Sequence, residues 1–205
     1  NIKYFSDGQI RGYGANNNLG FSVLSPLPDE SIFIVCNPDV TIQTASFEAL
    51  IDDFINADAD MYGVKVFESQ DLSVVSSHSR KAPCLFDPLV SLLLGLKLFV
   101  LDPDERAEPD WIGGAFMMFK KESFEQLVGF DEKYFMYYED ADICLRAKKL
   151  GMLLVYNPEF HIVHEAKRKG RNPFSIHFIW NFKSMVRFFM RHPPRCFVGR
   201  NYVGR

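Results

Sequence analysis

The sequence predicts an α/β sandwich built around a mainly parallel central sheet. Residues 31–36 (SIFIVC) form a short, continuous apolar run rich in β-branched and aromatic residues, and a further strand is expected at residues 61–67. Such runs are typical of strands that are buried on both faces. Between them, apolar residues recur at the i, i+3, i+4 and i+7 spacing of an amphipathic helix, at Phe47, Leu50, Ile51 and Phe54. Strands that alternate with helices favour this fold class.

The later elements follow the same pattern. Strands are expected at residues 112–119, 152–156 and 160–164, and a helix should begin near Asp140 and end at Gly151, a usual residue after a helix. Residues 11–20 (RGYGANNNLG) are expected to form a loop because they are rich in Gly and Asn.

Residues 89–101 form an apolar run that Lys97 interrupts. A bilayer-spanning helix needs about 20 residues, so a buried or interfacial helix is the better interpretation of this shorter run.

Charge divides the chain unequally. The net charge of the 205 residues is −3, yet residues 166–205 contain ten Lys or Arg and no Asp or Glu. We therefore expect a catalytic domain at residues 1–165 and a basic, aromatic segment at 166–205. Lys183, Arg187 and Arg191 recur every four residues, which fits a helix lying on anionic lipid. A core-packing helix with a solvated basic face fits equally well. No nucleic-acid recognition motif accompanies the charge, so nucleic acid is not an expected partner.

The cysteines suggest neither a zinc site nor a disulfide framework. The four residues are widely spaced and form no CxxC pair: Cys36, Cys84, Cys144 and Cys196. Reduced thiols in the cytoplasm are the simple interpretation. Cys36 ends an apolar run and is expected in the core.

Asn37-Pro38-Asp39 directly follows the predicted strand at 31–36. Ligands of open α/β sheets bind beyond the carboxyl ends of the strands. A hard divalent cation at that edge would take a carboxylate oxygen together with the oxygens of a diphosphate. The same tripeptide is also an ordinary turn that ends a strand, and this sequence alone leaves both readings open.

Acidic residues cluster at the start of the later helix, in the segment 137–142 (YYEDAD). Carboxylates favour the first helical turn because of the macrodipole and the free N–H groups. Asp142 is spaced to pair with Arg146 at i,i+4, as an exposed pair worth a few tenths of a kcal/mol. The preceding aromatic residues would partly desolvate a carboxylate, which suits it to act as a base.

His164 ends the last predicted strand. A single His is more often a surface or hydrogen-bonded residue than a metal ligand. His161, two positions earlier, is the weaker candidate of the two.

Three segments in order carry a specific resemblance. They are residues 11–22 (RGYGANNNLGFS), 32–40 (IFIVCNPDV) and 111–164 (WIGGAFMMFKKESFEQLVGFDEKYFMYYEDADICLRAKKLGMLLVYNPEFHIVH). Together they resemble family 2 glycosyltransferases, especially the bacterial rhamnosyltransferase-like branch, with residues 69–110 only loosely matched. The resemblance implies the GT-A (nucleotide-diphospho-sugar transferase) fold, an α/β/α sandwich with a mostly parallel central sheet. Nothing in residues 1–10 matches the family's first strand–helix–strand unit, so we expect an N-terminally truncated domain.

The resemblance implies a metal site at one edge of this sheet. Asp39 stands at the last position of the family's DXD-type motif and would bind Mn²⁺ or Mg²⁺. His164 matches a His that often provides a further metal contact. Asn37 replaces the motif's first Asp and is expected to contact the sugar or ribose of the donor.

The resemblance also implies a base and a substrate-binding surface. Asp140 stands at the Asp of the family's Glu-Asp motif, the general base. Residues expected to bind donor or acceptor are Trp111, Gly113, Gly114 and Glu139. The Gly pair would let a substrate approach the backbone, because it lacks Cβ atoms.

The implied activity is inverting, metal-dependent transfer of a sugar, with rhamnose the best single candidate, from a nucleotide-sugar donor to a glycan or lipid-linked glycan. The expected location is cytoplasmic, peripheral on the inner face of the cytoplasmic membrane. Two alternatives remain. One is a non-catalytic glycan- or lipid-binding relic of this fold. The other is a nucleotidyltransferase, whose Gly-rich loop with a basic residue near its start is weakly resembled by residues 11–14 (RGYG).

Overall fold

The computed structural model describes residues 4–42, 47–76, 79–80, 104–165 and 175–193. The elements in chain order are α1 (Tyr13–Leu24), β1 (Ile32–Cys36), β2 (Val40–Ile42), α2 (Phe47–Asn56), β3 (Met61–Phe67), β4 (Ser79–Arg80), β5 (Trp111–Ile112), β6 (Phe116–Lys120), α3 (Lys121–Gln126), α4 (Glu139–Lys149), β7 (Leu154–His164) and α5 (Ile176–Arg191). The apolar run at 89–101, Cys84 and Cys196 lie outside the described residues.

Five strands form the central sheet, in the order β1-β6-β3-β7-β2. Among the described strands of this sheet, only β3 and β7 pair in parallel; the β1–β6, β3–β6 and β2–β7 pairings are antiparallel. The prediction of a mostly parallel sheet is therefore wrong. A continuous apolar run indicates burial on both faces, and the central strands β3 and β6 are buried in this way although they run antiparallel to each other.

The sheet separates two apolar clusters, as the sandwich prediction requires. Met61 and Tyr62, adjacent in β3, are both fully buried but belong to different clusters because successive side chains point to opposite faces. On the Met61 side the sheet packs against α3 and α4, through residues such as Phe124 and Ile143. On the Tyr62 side α2 contributes its fully buried Leu50 and Phe54. Burying a side chain of this size stabilises a fold by about 1.5–3 kcal/mol.

Several predicted elements agree with the structure in position. β1, α2, β3 and α4 lie where periodicity and turn residues predicted them, and Gly151 has a φ of 79° after α4. The two predicted final strands are one strand, β7, with a register shift: Asn157 pairs with Val64, and His161 pairs with the next residue, Lys65.

Two local predictions are wrong. Residues 11–20 were expected to form a loop, but Tyr13–Leu24 is a helix. The Asn18 side chain donates to Phe130 O and accepts from Phe130 N, each at 2.9 Å, so tertiary contacts hold a helix that its composition disfavours. Cys36 is exposed rather than in the core, because it ends an edge strand of the sheet.

Helix α5 packs against the segment that precedes α4. Ser184 Oγ donates to Met136 O at 2.8 Å, and Arg187 and Arg191 each reach Asp131 Oδ2 at 2.5 Å. The opposite side of α5 exposes apolar side chains, those of Ile176, Ile179, Phe182, Val186 and Met190. Two of the three cations predicted to face lipid or solvent are thus paired with the domain. No helix in the described ranges has the length and apolarity to cross a membrane.

Candidate active site

The turn after β1 meets the end of β7. Asn37 N donates to Ala115 O at 3.0 Å, and Asn37 Nδ2 lies 3.2 Å from His164 Nε2. Asp39 Oδ1 lies 3.3 Å from the same ring nitrogen. β2 holds this arrangement, since its first residue, Val40, is the register partner of His164. The structure therefore brings His164 next to Asn37 and Asp39, from which it is more than 120 residues away in the sequence.

This corner has donor atoms suited to a divalent cation. Asp39 supplies a carboxylate whose side chain is 52% exposed, and His164 supplies an imidazole nitrogen that faces it. Mn²⁺ and Mg²⁺ prefer oxygen ligands, and Mn²⁺ also accepts imidazole. No group of three or more His, Cys, Asp or Glu side chains with metal-site geometry occurs within the described ranges. Asp39 and His164 thus fit a cation that takes its other ligands from outside the protein, as diphosphate oxygens would provide.

Asp140 lies in the first turn of α4, close to the Gly pair between β5 and β6. Its Oδ2 accepts a hydrogen bond from Gly114 N at 2.8 Å, and its Oδ1 accepts from Ala141 N at 2.8 Å. Gly114 is followed by Ala115, which binds Asn37. Adjacent residues of one turn therefore hold Asp140 on one side and the end of β1 on the other.

Glu139 has a different environment from Asp140. It is buried, and its Oε2 has no hydrogen-bond partner among the described residues. Burial raises the pKa of the Glu139 carboxyl well above its usual range, and the negative charge of Asp140 raises it further. Glu139 therefore retains its proton at a pH where an exposed glutamate is ionised.

The two residues before α4 have strained backbones. Tyr137 and Tyr138 have φ values of 73° and 66°, in the left-handed region that large side chains rarely adopt. Tyr137 Oη lies 3.1 Å from His177 Nδ1 of α5. The Tyr138 ring stacks on Trp111 at 6.2 Å and also contacts Phe188 at 5.3 Å. Aromatic contacts and α5 thus fix the backbone conformation of Tyr137 and Tyr138, which sets the positions of Glu139 and Asp140.

Asp142 is fully buried and ion-paired. Its carboxylate lies 2.7 Å from Arg146 Nε and 2.8 Å from His192 Nε2. Burial alone would raise the pKa of Asp142, but the hydrogen bonds from His192 and Arg146 outweigh it and hold the pKa below its usual value. The predicted pairing with Arg146 is confirmed; the expectation that it is an exposed pair is wrong.

Tyr13 is a site neighbour that the sequence interpretation missed. Its hydroxyl donates to Gly114 O, and its backbone N donates to Phe135 O at 2.9 Å. The available signal was a Tyr between two glycines. A Cβ at Gly12 would lie 2.3 Å from Phe135 O, and one at Gly14 would lie 2.7 Å from Phe130 Cβ. The glycines therefore permit the close docking of α1 that brings Tyr13 to the site.

The fold is that of a nucleotide-sugar transferase. The structure matches GalNAc-T7, in a crystal structure with UDP, GalNAc and Mn²⁺, with a TM-score of 0.61 at 14% sequence identity, over 91% of this chain and 36% of that one. The predicted GT-A fold is confirmed. A family model, Glyco_transf_7C, described as the N-terminal domain of galactosyltransferase, matches residues 100–168.

Relatives identified by sequence indicate which glycosyltransferases the chain is related to. Rhamnosyltransferase WbbL of Escherichia coli (strain K12) is 31% identical over 208 residues, covering 98% of this chain and 77% of WbbL. The N-acetylglucosaminyl-diphospho-decaprenol L-rhamnosyltransferase of Mycobacterium tuberculosis (strain ATCC 25618 / H37Rv) is 31% identical over 195 residues, 85% of this chain and 62% of that protein's length. This chain belongs to the rhamnosyltransferase-like branch of the family 2 glycosyltransferases.

Proposed function

We propose that this protein is an inverting, metal-dependent glycosyltransferase that transfers rhamnose from a nucleotide-sugar donor to a glycan or lipid-linked glycan. One observation carries the proposal. Asp140 Oδ2 is held by Gly114 N at 2.8 Å, and the next residue, Ala115, binds the turn that contains Asp39. The candidate base and the turn that contains the candidate cation ligand therefore bind adjacent residues, Gly114 and Ala115.

Asp140 is the best candidate base among the acids of α4. Glu139 is buried with a raised pKa, and Asp142 is fully buried in ion pairs, whereas Asp140 is only partly buried. Each Asp140 oxygen accepts an N–H bond, which orients the carboxylate. Asp140 would accept the proton of an acceptor hydroxyl while that oxygen bonds to the anomeric carbon and the nucleoside diphosphate departs. A single displacement without a protein nucleophile inverts the anomeric configuration.

Asp39 and His164 would hold the divalent cation. When bound, Mn²⁺ or Mg²⁺ supplies charge neutralisation for the departing diphosphate. Asn37, whose Nδ2 lies 3.2 Å from His164 Nε2, borders this corner and would contact the donor. The carboxylate and imidazole donors of this partly exposed corner support the assignment.

The relatives support the sugar and the acceptor class. WbbL is named a rhamnosyltransferase, and the mycobacterial relative is named for an N-acetylglucosaminyl-diphospho-decaprenol acceptor, a lipid-linked sugar. In this chain, Trp111 stacked on Tyr138 offers an aromatic surface of the kind that sugar rings pack against. Gly113 and Gly114 would let the substrates approach the backbone beside Asp140.

A lipid-linked acceptor is consistent with a peripheral position on the inner face of the cytoplasmic membrane. The outer side of α5 exposes five apolar residues, and Lys183 is exposed next to one of them, Phe182. Because Arg187 and Arg191 are paired with Asp131, the attraction to anionic lipid would depend on Lys183 and on the other cations of residues 166–205.

The direct test is transfer in solution. The purified protein is incubated with dTDP-rhamnose, Mn²⁺ and a polyprenyl-diphospho-N-acetylglucosamine, and the product is examined by mass spectrometry and by NMR of the anomeric centre. We expect addition of one deoxyhexose with inverted configuration, and loss of transfer with EDTA. Pyrophosphate release from a nucleoside triphosphate would favour a nucleotidyltransferase. Failure of both donor binding and turnover would favour a non-catalytic relic, and transfer of another sugar would reject only rhamnose.

A further inference from the structure

We propose that Tyr13 is a positioning residue, which holds the carbonyl of Gly114 and, through the backbone of that residue, the N–H that binds the carboxylate of Asp140. The proposal rests on the proposed function of Asp140 as the general base. Tyr13 lies in the first turn of α1, more than a hundred residues from either partner in the sequence.

Tyr13 makes hydrogen bonds to two segments of the site. Its hydroxyl donates to Gly114 O, and the N–H of the same glycine donates to Asp140 Oδ2 at 2.8 Å. Its backbone N donates to Phe135 O at 2.9 Å, in the segment that leads to the strained Tyr137 and Tyr138. One residue therefore constrains both the Gly pair and the entry to α4.

A constraint is needed here because of the glycines. Gly113 and Gly114 have no Cβ, so their peptides have more freedom to rotate than those of other residues. The Gly114 N–H belongs to the Gly113–Gly114 peptide, and the Gly114 carbonyl belongs to the next peptide, Gly114–Ala115. The Tyr13 hydroxyl binds that carbonyl, so it fixes the second peptide and with it the Cα from which the N–H bound to Asp140 projects. In this way a contact on the far side of the turn determines the geometry of the proposed base.

The surroundings of Tyr13 keep its hydroxyl a donor. Burial raises the pKa of Tyr13, and the negative charge of Asp140 raises it further, so the hydroxyl stays protonated. The ring packs edge-on against Phe130 at 5.9 Å. The approach is close, since a Cβ at Gly114 would lie 3.2 Å from the Tyr13 hydroxyl oxygen and the ring would have to shift to accommodate it. A hydrogen bond in such a water-poor setting is stronger than an exposed one.

The test is Tyr13→Phe, which removes the hydroxyl and keeps the ring. We expect kcat for sugar transfer to fall about tenfold, with the donor KM within about twofold of wild type, because a small displacement of a catalytic group lowers the rate of the chemical step. Tyr62→Phe is the matched control. Tyr62 is fully buried in the other apolar cluster, and its hydroxyl also bonds to a carboxylate, that of Asp53. Its removal should leave kcat unchanged.

Two further measurements separate positioning from a general structural effect. In an Asp140→Asn background, Tyr13→Phe should lower the residual rate by less than about twofold, because the base through which Tyr13 acts is already absent. Amide hydrogen exchange of Gly114, followed by NMR, should be about tenfold faster in Tyr13→Phe than in wild type. Equal losses of rate in both backgrounds would overturn the proposal.

The outcomes also distinguish this proposal from the proposed function. If wild type transfers sugar, Asp140→Asn does not, and Tyr13→Phe retains full kcat with unchanged Gly114 exchange, the positioning role is wrong and the function stands. If the wild-type protein transfers no sugar to any acceptor tested, the function is rejected, and the positioning role is rejected with it.

Discussion

The carboxylate of Asp142 accepts a hydrogen bond from His192 Nε2 at 2.8 Å, which attaches the end of α5 to the helix that carries Asp140. His192 and Asp142 are both buried, and Arg146 pairs with the same carboxylate at 2.7 Å. The chemistry proposed for the first turn of α4 therefore depends on a scaffold that includes the last described helix. Two acids of this turn have different contacts: Asp142 binds Arg146 and His192, and Asp140 accepts a hydrogen bond from Gly114 N.

Asp142→Ala should greatly destabilise the protein. The substitution leaves Arg146 and His192 without their buried partner, and breaking a buried ion pair in this way costs about 3–5 kcal/mol. Denaturant unfolding followed by circular dichroism measures the change. Asp29→Ala is the control, because it removes an exposed carboxylate that pairs with Lys121, and it should be indistinguishable from wild type. Equal stability of the two variants would contradict the structural role of Asp142.

Glu139→Gln should make stability less dependent on pH. The pKa of Glu139 is raised in the folded protein above its ordinary value of 4.5, so the folded state binds this proton more tightly than the unfolded state does. The stability associated with that proton is fully present below pH 4.5 and is lost as the pH rises through the raised pKa. Gln has no such proton to lose. The variant should therefore gain stability relative to wild type as the pH rises above 4.5.

Melting temperatures of both proteins between pH 4 and 9 test this prediction. A constant difference between the two curves would show that Glu139 ionises normally. The same variant should retain much more transfer activity than Asp140→Asn, since a residue that keeps its proton cannot be the base.

The sequence predicted the position of most elements and the order of the site motifs, because those depend on local pattern. Residues 31–36 and 61–67 are strands in the structure, and α4 begins with the predicted acids. Strand direction was missed, because burial on both faces produces the same apolar run in parallel and antiparallel strands. Helix α1 was missed because the side-chain contacts of Asn18 with Phe130, 112 residues away, stabilise it.

The environment of side chains was harder to predict than their position. The i,i+4 spacing of Asp142 and Arg146 correctly predicted an ion pair. His192, the buried residue that binds the same carboxylate of Asp142, lies 50 residues away in the sequence. The regular spacing of Lys183, Arg187 and Arg191 predicted one basic face. Asp131, which turns two of these cations toward the domain, is not apparent from that spacing.

Asp39→Asn and His164→Ala should each weaken metal-dependent donor binding. Asp39 and His164 provide the two donor atoms of the proposed cation site, so removing either should lower donor affinity with Mn²⁺ by about tenfold or more and leave affinity in EDTA unchanged. Isothermal titration calorimetry with dTDP measures both conditions. His161→Ala is the matched control, because His161 lies in the same strand and its ring packs against Phe67. Wild-type affinity of the His164→Ala variant with Mn²⁺ would remove His164 from the site.

The outer side of α5 should bind anionic vesicles. Replacing Phe182, which is 54% exposed, with Ser removes apolar surface from this side and should reduce co-sedimentation with vesicles that contain anionic lipid. Lys183→Glu should reduce it further and weaken its salt dependence. Phe47→Ser alters an aromatic side chain of comparable exposure (43%) on α2 and should have no effect. Equal binding of wild type to neutral and anionic vesicles would reject the electrostatic contribution.

Asp140→Asn should abolish most sugar transfer while leaving the fold intact. An acceptor hydroxyl is a poor nucleophile, and a positioned base contributes about 10²–10⁴ in rate. Asn has the shape of Asp, and its one carbonyl oxygen can still accept the hydrogen bond from Gly114 N. Its amide group loses the bond from Ala141 N and cannot take a proton. We therefore expect kcat to fall by about 10²–10⁴, with little change in melting temperature and in donor affinity with Mn²⁺. Transfer assays, thermal unfolding and calorimetry on the same preparation measure the three quantities. The structure also predicts the opposite behaviour for Asp142→Asn, which should lower the melting temperature because it weakens the buried contacts with Arg146 and His192. If Asp140→Asn instead kept near-wild-type transfer and lost several degrees of melting temperature, its carboxylate would serve to hold the turn at Gly114, and the base would have to be sought elsewhere.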